Sequence, residues 1–479
     1  VVAAFVMLGA LAAASTAASA TSATRATVAK STTAQVYHAG TATSPSTAVP
    51  RCTSPNTPPG CYKGPLLKLQ AASIGQTAAE PSIGVGPDGT AYFSGSTLVI
   101  DTSVVWGVAK TDARRSTDGG KTWTSIQPSV GPAGGYPQGN ADPEIYVDPV
   151  TGRVFTFDLT AACQFLSYSD DKGASWISNP LACGDVPVDH QTIVSSKPVA
   201  PITTVGYPDL LTYCSNRIVF AGCGRSFDGG INWLAGGPAY QGVDSGGNLC
   251  SSLTGHLAAD PNGLLYLPSA HCGFPEIAVS TDSATTWKDV TVSTMPSDIA
   301  HTSVTTDSAG NVYYLFEGKD ALPYLSISKD HGDHWTAPIM VAPPGVLQVN
   351  FPVVTAADPG HIAISFPSTT ETGASRAWNY TVAVSTNALS AKPVFVSNVA
   401  NAATDPIHRG DCYDRCAGMW DFIDIHISAA GQAWASASDD CTGACDTGTL
   451  TQDHVGKGIA VRQISGPKLR KSPSSVWPT

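Results

Sequence analysis

Charge is scarce in this sequence. Only 13% of its 479 residues are Asp, Glu, Lys or Arg, and the net charge is −11. Long solvated helices and coiled coils need charged faces, so few are expected. Lys and Arg form no block, and phosphate backbones are bound by clustered cations, which excludes a nucleic-acid partner. No apolar run of about 18 residues occurs beyond the N-terminus, so nothing downstream is expected to span a membrane. The sequence also lacks a phosphate-binding glycine loop, a nucleophile elbow and a His-Glu-x-x-His pair. Kinase, α/β-hydrolase and zincin chemistry are set aside accordingly.

Gly and Pro, by contrast, are plentiful at 46 and 35 residues. With abundant Ser and Thr they favour many short strands joined by tight turns. The chain begins differently. Val1 to Ala14 are almost all apolar or small, and Ala18-Ser19-Ala20 follows as a cleavage signal, so residues 1–20 read as a secretory signal peptide. The positive stretch that should precede such a core is missing, which puts the true start upstream or makes Val1 an alternative start. Residues 21–63 are rich in Ser, Thr, Ala and Pro and are expected to be a flexible linker. Residues 64–467 carry the alternating pattern of the main domain, and 468–479 form a C-terminal tail. The expected protein is secreted and extracellular, with no membrane span once the signal is removed.

Twelve cysteines, an even number, suit export and a disulfide framework. Spacing suggests the pairs Cys52–Cys61, Cys163–Cys183, Cys214–Cys223 and Cys250–Cys272. The other four are Cys412, Cys416, Cys441 and Cys445, and cross-pairing between their two segments is expected. A four-cysteine zinc site is the rival, although zinc knuckles prefer a two-residue gap.

The decisive feature is an internal repeat of the form S-x-D-x-G-x-[TSNH]-W. It runs Ser116 to Trp123, Ser169 to Trp176, Ser226 to Trp233, Ser280 to Trp287 (with Ala284 in place of Gly) and Ser328 to Trp335. A decayed sixth copy stands at Ser385-Thr386-Asn387. Such a segment is a turn between two strands. Asp118, Asp171, Asp228, Asp282 and Asp330 can accept backbone N–H bonds within their own loops. The Gly supplies a positive φ, and the Trp covers the adjoining apolar layer and offers its indole N–H to a carbonyl. The expected role of these aspartates is structural. Each interval also holds an earlier hairpin, giving about four short strands per unit, the size of a propeller blade. An all-β, seven-bladed β-propeller is expected, with blades starting near Glu80, Asp142, Asp189, Thr254, His301, Asn350 and Asp421; six blades is the alternative. Residues Leu66 to Ala72 are expected to complete the last blade and so close the ring.

These motifs resemble the Asp-box, or BNR, repeat of sialidases, some xyloglucanases, sortilin-type receptors and photosystem assembly factors. The resemblance implies the fold over some 400 residues but spans enzymes and binders alike. A working sialidase implies an Arg-Ile-Pro motif, three arginines for the substrate carboxylate, a Tyr/Glu nucleophile pair and an Asp acid. The sequence has no Arg-Ile-Pro, and Ala79-Glu80-Pro81 stands where it would fall. No motif places an arginine clamp.

In enzymes of this architecture the starts of the innermost strands carry the site, at the end opposite the Asp boxes. Aligning the blades puts Glu80, Asp142, Glu144, Asp189, His190, His256, His301, Asn350, Asp421 and Asp424 there. Glu80, Asp142, His190 and His301 are the candidate catalytic residues, for acid–base or metal chemistry. Asp189, His256 and Asp421 are candidate ligand contacts. Arg409, Asp411, Tyr413, Arg415 and Trp420 join them from a cysteine-pinned loop that precedes the last blade. Asp439 and Asp440 with Asp446 could hold calcium. The function expected is a glycan-directed protein, either hydrolase, lyase or lectin-like binder. The alternatives are a non-catalytic extracellular protein-interaction propeller and an exo-α-sialidase.

Overall fold

The computed structural model describes residues 34–53, 57–96, 111–126, 140–160, 163–183, 188–217, 220–241, 253–412, 420–443, 445 and 456–472. These residues are almost entirely strand and turn, with a single short 3-10 turn at His271–Gly273. They form six four-stranded antiparallel sheets and one eight-stranded sheet, the arrangement of a β-propeller.

Five blades follow one another as simple meanders from inner to outer strand. The first comprises Ala79–Val85, Ala91–Ser96, Thr111–Ser116 and Thr124–Ser125, and the second Asn140–Val147, Val154–Thr160, Cys163–Ser169 and Ile177–Cys183. The third, fourth and fifth begin at Val188–Ser196, Ala258–Ala259 and Ser297–Thr306. In the eight-stranded sheet, Val353–Ala356, Ile362–Thr369, Ala377–Ser385 and Val394–Val399 form the meander. The closing blade runs Ile425–Ile427, Ala433–Asp439 and Lys457–Ser465. Its outer strand is Lys68–Thr77, paired antiparallel so that Ala71 faces Val461 and Ser73 faces Ile459. The N-terminal strand thus completes the last blade and leaves no open seam.

The cores lie between neighbouring sheets, because each strand buries residues on both faces. Phe155, Phe157, Leu166, Ile193, Leu211 and Tyr213 fill the space between the second and third blades. Ile74, Ile83, Phe93, Trp434 and Ala460 do the same between the closing and first blades. Each large side chain buried this way contributes about 1.5–3 kcal/mol. Hydroxyls on the inner strands stitch neighbours together: Ile145 N donates to Ser82 Oγ (3.2 Å), Leu257 N to Thr192 Oγ1 (2.9 Å) and Val354 N to Ser303 Oγ (3.1 Å). Ser436 Oγ donates to Pro81 O at 2.6 Å and carries the stitching across the closure.

Two expectations need correction. The linker does not extend to residue 63. Gln35–His38 is a strand near the outer edge of the eight-stranded sheet, between Val394–Val399 and the short Thr47–Ala48. Tyr37 is fully buried there, stacked on Phe395 and donating to Val341 O at 2.8 Å. A short Val-Tyr pair is enough to cover an otherwise bare edge. Second, the last four cysteines do not cross-pair. Cys441 is bonded to Cys445 within one tight turn, with Cα atoms 5.1 Å apart, a separation a disulfide spans. Cys412 is also disulfide-bonded, and Cys416 lies outside the described residues. Cys52–Cys61 and Cys214–Cys223 form as expected. Cys163 and Cys183 face each other across neighbouring strands; Cys272 is disulfide-bonded, while Cys250 lies outside the described residues.

Candidate functional site

The five repeats fold into one turn. Asp118 Oδ1 accepts from Lys121 N and Thr122 N at 3.0 Å, and its Oδ2 from Thr122 Oγ1 at 2.7 Å. Ser116 Oγ donates to Asp118 and accepts from Gly120 N, both at 2.9 Å. Asp171, Asp228, Asp282 and Asp330 bond in the same way. Burial is the largest single influence on Asp118, Asp228 and Asp282 and raises them, but the hydrogen bonds together outweigh it and hold all five carboxyls below the usual range. The indoles divide: Trp176, Trp233 and Trp335 donate to carbonyls, whereas the Trp123 and Trp287 N–H groups are buried without a partner.

Arginines gather at this same end. Arg115 donates to Lys172 O (2.7 Å), Arg153 to Gly229 O (2.6 Å), Arg225 to Ser283 O (3.2 Å) and Arg462 to Gly119 O (3.1 Å). Each reaches the repeat turn of a neighbouring blade. Elsewhere Arg114 donates to Ile74 O, and Arg376 pairs with Asp411 at 2.5 Å. Arg409 donates to Cys445 O at 2.8 Å.

The opposite end is built from bulges. Near the start of the inner strands the pairing register skips, between Ala79 and Ser82, Ala141 and Glu144, and Asp189 and Thr192. Within each skip one residue adopts a left-handed backbone: Glu80 (φ 50°), Asp142 (φ 48°) and His190 (φ 47°). Phe351 (φ 45°) and Phe422 (φ 65°) hold the same place in the eight-stranded sheet and the closing blade. Bulges re-aim side chains. Proline follows at Pro81, Pro143 and Pro352, where a missing N–H costs no ladder bond.

Each bulge side chain then reaches the backbone of the next blade. Glu80 Oε2 accepts from Asp142 N at 2.7 Å, and Asp142 Oδ2 from His190 N at 3.1 Å. His190 Nδ1 lies 3.0 Å from Thr254 O. Asp189 Oδ1 shares the His190 amide, also at 3.1 Å, so two carboxylates converge on one N–H. Other contacts join non-adjacent blades. His190 Nε2 lies 3.3 Å from Asp421 Oδ1 in the closing blade, and both side chains are buried. His256 Nδ1 lies 3.5 Å from Glu144 Oε1, and its Nε2 3.4 Å from Phe422 O. The Phe422 ring stands 4.5 Å from each imidazole.

The electrostatics follow from this crowding. Burial, then Asp189, Glu80 and Asp421, push the Asp142 carboxyl well above its ordinary pKa. Burial also raises Glu144 and Asp424, against the opposing influence of His256. Burial works against a charged imidazole at His256, but Asp424 and Glu144 outweigh it and lift the pKa to about 9. His190 is likewise raised, with Asp421 and Asp189 overcoming its burial. The cluster therefore sets carboxyls of raised pKa beside imidazoles of raised pKa, a combination suited to proton and hydrogen-bond exchange.

The structure thus brings together Glu80, Asp142, Asp189, His190, His256 and Asp421 from the sequence-based set. The His301 side chain, Tyr413 and Arg415 lie outside what is described. Trp420 is not a ligand contact: it is fully buried against Trp378 and His408 and donates to Ser438 O at 3.0 Å. Asp440 is engaged by His408 Nδ1 at 2.8 Å, and Asp446 is outside the described residues. No group of three metal-ligating side chains is arranged to hold an ion among the described residues. The sequence reading gave no special role to Phe422 or Gln191, whose Nε2 donates to Asp142 O. Phe422 is followed by Ile423 where Glu80, Asp142 and Phe351 are followed by proline, so no proline marks its position in the sequence.

No family model and no curated protein matches the chain. Solved structures do. A Dyadobacter fermentans protein of unknown function is 14% identical, covering 69% of this chain and 98% of that one, with a TM-score of 0.46. The intramolecular trans-sialidase of Ruminococcus gnavus is 15% identical, covering 61% and 91%, at 0.41. The Aleuria aurantia lectin is 9% identical, covering 68% and 96%, at 0.40. At these identities and TM-scores the likenesses assign no activity. No described helix is long and apolar enough to cross a membrane.

Proposed function

We propose that the protein is a secreted, glycan-directed propeller whose ligand end is the axial cluster. The observation that carries this reading is the ring of left-handed bulges at Glu80, Asp142 and His190. A non-glycine residue held there costs on the order of 1–3 kcal/mol, and such strain gathers where geometry serves a ligand. Three consecutive blades carry that cost and set two carboxylates and an imidazole side by side in one chain of contacts. Glu144 and Asp424, both raised in pKa, flank His256 and can donate to a sugar hydroxyl or protonate a glycosidic oxygen. We count the eight-stranded sheet as one blade with added edge strands, which makes the disk seven-bladed; an experimental structure in which that sheet splits would break the count.

The test is a broad glycan library presented to the oxidised protein, with retention and cleavage read by mass spectrometry. Saturable retention or cleavage that is lost in Glu144→Gln supports the reading, and neither from any glycan defeats it.

One observation favours a second reading, a protein-binding disk. Ile177, Val205, Ile231 and Leu234, in and around the second and third blades, are more than half exposed at 58%, 72%, 53% and 58%. Loss of a captured protein on Ile231→Ser/Leu234→Ser, with glycan binding absent, would favour it. An exo-α-sialidase lacks such support: four of the described arginines, Arg115, Arg153, Arg225 and Arg462, are bonded to repeat-turn carbonyls.

A further inference from the structure

In four blades the turn that joins the first two strands carries an aspartate: Asp88, Asp148, Asp260 and Asp307. At three of these turns the next blade supplies a nitrogen to the outer carboxylate oxygen. Lys172 Nζ lies 2.7 Å from Asp88 Oδ2, His331 Nδ1 lies 2.9 Å from Asp260 Oδ2, and Gly360 N donates to Asp307 Oδ2 at 3.1 Å. Lys172 and His331 both stand directly after the aspartate of a repeat. In the third blade that position is Gly229, where a Cβ would fall 2.5 Å from Arg153 Nη1 and 2.6 Å from Tyr207 Cδ2. No side chain fits there, so the repeat of the third blade sends no cation to Asp148.

A second carboxylate stands in this place. Asp148 Oδ2 accepts from the Tyr207 hydroxyl, which is neutral and brings no counter-charge. Asp209, two residues beyond Tyr207, is 5% exposed, and its Oδ2 is buried with no hydrogen-bond partner. Burial, then the charge of Asp148, raise the Asp209 carboxyl to about 7, with no cation opposing them. Among the described residues no lysine or arginine pairs with either aspartate. Arg153 passes over the Tyr207 ring, but its nitrogens are committed to Asp170 at 2.7 Å and to Gly229 O at 2.6 Å. A buried carboxylate oxygen without a donor calls for a bound cation.

We propose that Asp148 and Asp209 hold a calcium ion between the second and third blades. The donors are all oxygen, two carboxylates with the Tyr207 phenol beside them, which is the chemistry of a hard cation. Two carboxylates balance a dication, as Lys172 balances Asp88 one blade earlier. Calcium accepts an irregular set of ligands completed by water, whereas magnesium demands a near-ideal octahedron. Gly206 and Pro208 are exposed on either side of Tyr207, so the pair lies just beneath the surface, within reach of ions from solution. Tyr207 and Asp209 belong to the loop 197–209, between Val188–Ser196 and Leu210–Arg217. The ion therefore ties that loop, and the exposed Val205 it carries, to the second blade.

The test is thermal melting of the EDTA-treated, oxidised full chain in calcium chloride and in magnesium chloride. Calcium is expected to raise the melting temperature by several degrees, with half-saturation at about 10⁻⁴–10⁻³ M, the range of extracellular calcium modules. Magnesium is expected to shift it less. Asp209→Asn keeps the shape of the side chain and is expected to weaken calcium at least about tenfold. Asp88→Asn, at the turn already served by Lys172, is expected to keep the full calcium shift. Terbium emission sensitised by the nearby Tyr207, and displaced by calcium, reads the same site in the wild type without any substitution. No shift by about 10 mM calcium, well above that range, overturns the site, as does absence of displaceable terbium emission. A shift that survives Asp209→Asn, or that is lost in Asp88→Asn, overturns its assignment to this pair. A magnesium shift equal to that of calcium overturns the choice of ion.

Discussion

At the repeat-turn end, five aspartates stand at the surface with their oxygens filled by backbone and hydroxyl donors, and their pKa values are lowered. At the axial end, Asp142, Glu144 and Asp424 are crowded together with raised values. The arginines divide the same way: Arg115, Arg153, Arg225 and Arg462 brace the repeat turns. At one end the aspartate oxygens are satisfied by their own loops, as in a structural device. The other crowds carboxyls of raised pKa together on strained backbone.

The largest expected break in this comparison is at the axis. His190→Ala removes a buried ionic partner of Asp421 and is predicted to cost about 3–5 kcal/mol, read by urea unfolding. A loss under about 1 kcal/mol would show that the pair is not desolvated as described. A smaller effect is expected at a repeat turn. Asp228→Ala leaves Ile231 N and Asn232 N to water, and the predicted loss is about 1–2 kcal/mol because the turn is exposed.

The pH response sharpens the contrast further, since the two ends have opposite signs. The folded pKa of His256 is about 9, above the roughly 6.5 of an unfolded histidine. The stability contributed by its charge is therefore complete below about 6.5 and is lost as pH rises through about 9. The raised carboxyls of Asp142, Glu144 and Asp424 act in the same direction, since their ionisation at higher pH opposes folding. The repeat aspartates act the other way. Their contribution is present above about pH 4 and is lost as pH falls, toward about 2 for Asp171 and Asp330. Thermal melts of the wild type should decline on the alkaline side, and His256→Gln should flatten that limb alone. An unchanged alkaline limb in His256→Gln would separate His256 from the cluster. The smallest effect is expected for Ala284→Gly. Ala284 sits at φ 60° where other repeats have glycine, so relief of strain should raise stability by less than about 1 kcal/mol.

The two ends were also unequally legible. A repeat turn is local: its Ser, Asp, Gly and Trp lie within eight residues, so its chemistry and periodicity can be read directly. The strand pairing that closes the ring was readable for the same reason, as one blade lacked a strand. The axial end depends on which blades oppose each other. Aligning strand starts found Glu80, Asp142 and His190, but the pairing of His190 with Asp421 across the axis is a property of the closed ring. Trp420 looked like a ligand contact because its neighbours are polar and charged, yet its indole belongs to the core. The strand Gln35–His38 was hidden because a Ser/Thr-rich background masked two core residues, Val36 and Tyr37. Asp148, Asp260 and Asp307 form a second recurrent turn, each accepting N–H bonds from residues just beyond it, which the stronger repeat obscured.

The most direct test of the division between the two ends measures glycan retention and melting temperature together in Glu144→Gln and Asp228→Ala. The account predicts that Glu144→Gln abolishes retention while melting within a few degrees of the wild type, and that Asp228→Ala melts lower but still retains glycan when folded. Retention that survives Glu144→Gln, or that disappears in folded Asp228→Ala, would contradict it.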